Sequence, residues 1–131
     1  MANPNIVNVT AIYGTTTYYA PSGTSAVVLL ANAASSGLVY KINQIVVANT
    51  TGSAANATVS IYTNGAVAQG SAPAGGTAYP VVSAVSVPAN ASLIAVDKTT
   101  AIYLMEGTSI SITSGTSNSL TFTISYESIA S

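Results

Sequence analysis

Apolar and polar residues alternate along this chain with a period of two, the spacing of a strand and not of a helix. The clearest case is residues 119–127, SLTFTISYE. Leu120, Phe122, Ile124 and Tyr126 fall on one side, and Thr121, Thr123, Ser125 and Glu127 on the other. A strand with one buried and one wetted face reads this way. Residues 79–87 place Tyr79, Val81, Ser83, Val85 and Val87 together. Residues 57–63 turn Ala57, Val59 and Ile61 inward and Thr58, Ser60 and Tyr62 outward. Residues 25–31 instead contain the apolar run AVVLLA, which suits a short strand buried on both faces. The β-branched Val27 and Val28, with Gly37 soon after, argue against a helix there.

The alternation slips once, in LVYKINQIVVAN, residues 38–49. Tyr40 and Ile42 share a face, and strict period two would then bury Gln44 and expose Ile45. One extra residue at Asn43-Gln44 returns Ile45 and Val47 to the core, so the pattern predicts a β-bulge at that point. The polar loop of residues 50–56 and the strand after it complete the framework of the domain.

Turn chemistry divides the rest. Asn3-Pro4-Asn5 opens the chain as a turn or extended segment. Residues 6–13 read as a strand broken by Gly14, and residues 15–20, TTTYYA, are β-prone. Pro21-Ser22-Gly23 is a turn and residues 33–37 a loop. Asn64-Gly65 predicts a type I′ hairpin turn, followed by a weak strand at residues 66–69. Residues 70–77, GSAPAGGT, form a loop, and Pro88-Ala89-Asn90 turns the chain. Residues 92–96, 101–105 and 108–113 are three short strands, and residues 114–119 a polar loop. Eight to ten short strands at roughly 8–12-residue spacing predict an all-β fold: an antiparallel two-sheet β-sandwich, jelly-roll-like. Its 131 residues make one domain, with residues 1–13 as an extended N-terminal arm or edge strand.

Composition narrows the chemistry. The charged side chains are Lys41, Asp97, Lys98, Glu106 and Glu127, 4% of the chain against about 25% in ordinary soluble domains. Histidine and cysteine are absent. The usual general base, the usual metal ligands and any disulfide framework go with them. Two lysines cannot track a phosphate backbone, so no nucleic-acid partner is expected. The run AVVLLA falls far short of the roughly 18–20 residues that span a bilayer, so no membrane partner is expected either. The start MANPNIVNV lacks a basic segment followed by an apolar one, so synthesis in the cytoplasm without a secretory signal is expected. A net charge of −1 leaves little repulsion between copies, so the chain is expected to associate with itself.

No constellation carries catalysis. Asp97, Glu106 and Glu127 are too scattered in sequence to form a local carboxylate dyad. Serines and threonines abound, but neither Lys41 nor Lys98 sits in a serine–lysine motif that would activate one. Residues 70–77 lack the lysine and following helix of a phosphate cradle. Glycosylation-type triplets begin at Asn8, Asn49, Asn56 and Asn90, about what chance gives in so Ser/Thr-rich a chain. The expectation is therefore a non-enzyme with no catalytic, cofactor or metal site. The one enriched functional type is tyrosine, with 8 copies. Tyrosine brings apolar area and a hydroxyl to interfaces. Tyr40 and Tyr126 lie on core-facing positions; Tyr13, Tyr18, Tyr19 and Tyr62 are the interface candidates.

With its strands in order, the chain resembles small virion structural proteins of tailed phages. The resemblance lies in YKINQIVVANTTG, in the strand of residues 57–65 ending at Asn-Gly, in VPANASLIAV, in IYLMEGTSISITSG and in the closing LTFTISYES. Leu104, Gly107, Ile110 and Ile112 fill its penultimate L-x-x-G-x-x-I-x-I segment, and the match spans about residues 38–127. It implies a rigid β-sandwich, often a homotrimer, acting as a capsid decoration or cement protein on the major capsid protein or another virion protein. The N-terminal arm would add contacts across subunit boundaries, and the location would be the virion. The same resemblance admits a collar, tail or fibre component. A carbohydrate-binding β-sandwich module is the alternative of a different class, and it requires coplanar exposed tyrosines in a groove.

Overall fold

The computed structural model describes residues 7–130. Its strands are β1 (Ala11–Tyr19), β2 (Val27–Asn32), β3 (Leu38–Asn49), β4 (Ala55–Tyr62), β5 (Ala78–Val87), β6 (Ser92–Val96), β7 (Ile102–Leu104), β8 (Thr108–Ser114) and β9 (Leu120–Ala130). A single 3-10 turn, Lys98–Thr100, lies between β6 and β7. Every pairing is antiparallel. One sheet runs β1-β9-β3-β6 with β7 also on β3; the other runs β2-β8-β4-β5. β6 pairs with residues 45–48 of β3 and β7 with residues 40–42, so the two occupy one strand position interrupted by residues 97–101. Eight positions in this order make a jelly roll, as the turn spacing predicted.

The core lies between the sheets. Phe122, Ile124, Ile42, Ile45 and Val47 from one side meet Leu29, Val59, Ile110 and Ile112 from the other, all fully buried. The predicted bulge is present. Ile42 stands opposite Tyr126 and Gln44 opposite Ser125, so Asn43 is the extra residue. Ile45 is buried and Gln44 exposed, as the slipped alternation required. A second bulge explains the run AVVLLA. Val28 pairs with Ser111 and Leu30 with Ile110, which leaves Leu29 unpaired between them. The strand turns there, so Leu29 and Leu30 enter the core while Val28 is buried on the outer face.

Four expectations are corrected. Gly14 does not break a strand: β1 runs through it in unbroken register with β9, Gly14 opposite Glu127. The strand expected from residue 6 begins at Ala11, and residues 11–13 of the expected arm belong to the ladder. Asn3-Pro4-Asn5 and the start of the arm lie outside the described residues. Asn64-Gly65 is not a type I′ turn, since neither residue has the positive φ it needs, and residues 66–69 form no strand. The glycine answers a different demand: a methyl at Gly65 would lie on the carbonyl oxygens of Asn32 and Thr108. Asn64 organises a long loop instead, its Oδ1 accepting from the Ala66 amide at 3.0 Å and its Nδ2 donating to the Ala74 carbonyl at 2.8 Å.

The fourth correction concerns Tyr62. β4 does turn Ser60 and Tyr62 to the outer face of its sheet, but that face is covered. Ser60, Tyr62, Ser109 and Ser111 are all buried. The loop of residues 63–77 reaches back over them. The Tyr62 hydroxyl donates to the Gly76 carbonyl and accepts from the Gly76 amide, each at 3.0 Å. Ser109 Oγ donates to the Asn64 carbonyl at 2.9 Å.

Candidate functional site

The four tyrosine candidates separate by position. Tyr13 and Tyr18 stand about 70% exposed on β1. Their odd and even numbers send them to opposite faces of that strand, so they form no coplanar platform. Tyr19 packs against the core, and Gly70 lies so close to its ring that a Cβ there would approach Cε1 to 3.0 Å. Tyr62 is buried and hydrogen-bonded as above and offers no surface to a partner. Tyr40 and Tyr126 pack together, ring centroids 4.9 Å apart. Burial, and then the neighbouring Tyr40, push the Tyr126 phenol pKa up, against a hydrogen bond with Thr15 that lowers it.

The three carboxylates serve the scaffold. Asp97 caps the 3-10 turn: its Oδ1 accepts from the Thr99 hydroxyl at 2.6 Å and the Thr99 amide at 2.9 Å. These bonds, the hydroxyl's first, hold its carboxyl below the usual range. Glu106 accepts from the Gly37 amide at 3.2 Å, and Glu127 from the side chain of the bulged Asn43 at 3.1 Å. Lys41 stands opposite Glu127 in the β3–β9 register and opposite Tyr103 in the β3–β7 register. Among the described residues no three of His, Cys, Asp and Glu are grouped as metal ligands would be.

A shallow cavity of about 310 Å³ opens between β1 and β2, lined by Thr17, Leu29, Tyr126 and Gln69 among others. Gln69 spans its mouth. The Nε2 donates to the Leu29 carbonyl at 2.9 Å, to Thr17 Oγ1 at 3.2 Å and to the Tyr18 carbonyl at 3.4 Å. One amide thus ties the two sheets together where the sandwich is open, and no charged group enters the space.

Exposed apolar side chains collect at the strand edges. On β5 they are Tyr79, Val81 and Val85; on β6 Ile94; on β7 Tyr103, with Met105 just beyond. On β1, at the opposite side, they are Ile12, Tyr13 and Tyr18. Tyr79 and Tyr103 were not among the sequence candidates. A signal for Tyr79 was available in Pro80, because proline in a strand implies an edge and its neighbour is then open to solvent. Tyr103 lies in a strand of three residues, too short for alternation to assign a face. The arrangement offers strand edges and apolar contacts, the chemistry of protein association. No family model, curated protein or solved structure matches the chain.

Proposed function

We propose that this protein is a non-enzymatic structural subunit that works by contact with copies of itself and with a larger protein surface, as a capsid decoration or cement protein of a virion. One observation carries the contact reading: nine large apolar side chains stand exposed on or just beside the strand edges of a jelly roll that has only five charged residues. Such edges suit a subunit seated between neighbours, where apolar contacts multiply with copy number. The virion setting, the major capsid protein as partner and the trimeric state rest on the resemblance of residues 38–127 to tailed-phage structural proteins.

The deciding measurement is the copy number of the chain in particles assembled from the genome that encodes it, by quantitative mass spectrometry. Hundreds of copies fit decoration of the capsid lattice. A dozen or fewer fit a collar, tail or fibre position. Absence from the particle sinks the virion reading. Nothing in the placement of Tyr13 and Tyr18 favours the carbohydrate module.

A further inference from the structure

A jelly roll leaves four strand positions with an unpaired edge, here β1, β2, β5 and the β6–β7 position. Unpaired edges invite other strands, and proteins blunt them with bulges, proline, charge or a covering loop. Three of these four are blunted. The β2 edge is taken by the long loop, the Val28 amide donating to Ser71 at 2.9 Å and the Gly70 amide to Val28 at 2.9 Å. β5 carries Pro80 and two bulges, its register slipping between Ala57 and Val59 and again between Val59 and Ser60 of β4. The β6–β7 edge is broken at residues 97–101, where Asp97 and Lys98 stand. Among the described residues β1 has none of these devices, beyond the single bond from Gln69 to the Tyr18 carbonyl. Its nine residues, AIYGTTTYY, keep one register with β9 and include no charge and no proline.

The direction of its free groups follows from the ladder. The Thr10 amide donates to the Ala130 carbonyl at 2.8 Å, and the Thr50 amide to the Ser119 carbonyl at 2.9 Å. Even residues of β9 therefore bond toward β1 and odd ones toward β3. In the β1–β9 register, Ala11, Tyr13, Thr15, Thr17 and Tyr19 spend their backbone groups on β9. Ile12, Gly14, Thr16 and Tyr18 turn theirs outward. The Tyr18 carbonyl confirms the phase, since Gln69 reaches it from outside the ladder.

We infer that this edge pairs with the β1 of a second copy of the chain, antiparallel about a two-fold axis at Thr15. This register sets Ile12 opposite the copy's Tyr18 and Gly14 opposite its Thr16. It uses the full strand and makes about eight backbone hydrogen bonds, the one at each Tyr18 carbonyl shared with Gln69. Ile12 and Tyr18 are both exposed on the outer face, at 53% and 70%. The pairing brings them together twice, as the aromatic–β-branched pairs that stabilise sheets. It also extends an apolar row already running from Val39 through Ile129 to Ile12. A copy fits this edge better than a charged partner strand, because β1 is neutral and two molecules of net charge −1 barely repel. Edge pairing buries less than the roughly 1,200 Å² of stable interfaces, so the dimer forms at high protein concentration or when copies are held side by side. The inference stands whether or not the chain serves in a virion.

Sedimentation of the full chain from about 10 µM to 1 mM tests it, with the variants Ile12→Lys, Tyr18→Glu and the double substitution. Both side chains are exposed, so the single variants keep the fold. The wild type should pass from 13.0 kDa to twice that mass. Each single variant should weaken dimerisation at least about tenfold. The double variant should restore it, because each introduced lysine then faces the copy's introduced glutamate. Within one chain the two lie about 20 Å apart along the strand and cannot pair. The Gly14 and Thr16 amides should gain protection from hydrogen exchange as concentration rises. A wild type that stays monomeric overturns the inference. So does an oligomer of any size, a trimer included, that both single variants leave unaffected, or protection of those amides at every concentration, which would put a segment of the same chain on the edge.

Discussion

Two asparagines do work in this fold that no pattern of apolar positions reveals. Asn49 is buried at the end of β3. Its Nδ2 donates to the carbonyls of Ser53 and Val87, and its Oδ1 accepts from the Thr51 amide and hydroxyl. Asn32 at the end of β2 does the same for the carbonyls of Leu38 and Leu104. Each side chain satisfies backbone that the sheets cannot. Asn49→Ala should therefore cost about 2–3 kcal/mol, read as a lower urea midpoint at unchanged slope. Tyr62→Phe should cost about 1–2 kcal/mol by stranding Gly76, while Tyr18→Phe stays within about 0.5 kcal/mol. Equal costs at the two tyrosines would contradict their assigned roles. Asp97 makes a prediction in pH. Its folded pKa lies below its unfolded value, so its cap stabilises above the ordinary carboxylate range and is lost as pH falls through the lowered folded value. Asp97→Asn should flatten that acid limb, followed by thermal melts between about pH 5 and pH 2.

At the scale of elements, the bulge at Asn43 makes the sharpest prediction. Deleting Asn43 removes the extra residue and leaves Ile42, Ile45 and Val47 in strict alternation, so a regular strand keeps them on the core face and Gln44 in water. That chain should keep a cooperative melt and near-ultraviolet circular dichroism at a cost of about 1 kcal/mol, as should Asn43→Gly, whereas deleting Val46, which leaves the bulge in place and turns Val47 toward water, should abolish both. The bulge was legible in the sequence because a slip in alternation on a half-buried strand has one simple repair. β9 was legible for the same reason, and β6 and the loop at residues 33–37 fell where their turn residues put them. The failures share a cause of their own. Gly14 and Asn64-Gly65 were read from local propensity, and at both places long-range packing prevailed. β9 supplies a ladder that carries a glycine through β1, and the closeness of Asn32 and Thr108 demands a glycine with ordinary φ at position 65. Tyr62 was misplaced because alternation gives the side of a strand but not what lies over it. Beyond the proline in β5 and the edge-strand reading of residues 1–13, strand edges were not legible: which strand ends a sheet is decided by the pairing of segments far apart in the chain.

For the whole molecule, the scarcity of charge has a consequence that can be measured. Screening acts only on charges, and it acts within a Debye length, about 8 Å at physiological salt. Once two copies pair through β1, the nearest like charges across the axis are the two Glu127 carboxylates, one on each β9. Three strand spacings, roughly 14 Å, separate those strands. β1 itself contributes no charge, and Lys41 stands opposite Glu127 within each copy. Association should then be held by backbone hydrogen bonds and apolar pairs, both nearly indifferent to simple salt. The dimerisation constant should change by less than about twofold between 50 and 500 mM sodium chloride, and should strengthen in sulfate, which favours apolar burial. Sedimentation equilibrium in the two salts reads both effects. A loss of an order of magnitude in sodium chloride would mean that ion pairs carry the contact. The interface would then have to include Lys41, Lys98 or the carboxylates, and the neutral edge of β1 could not be its centre.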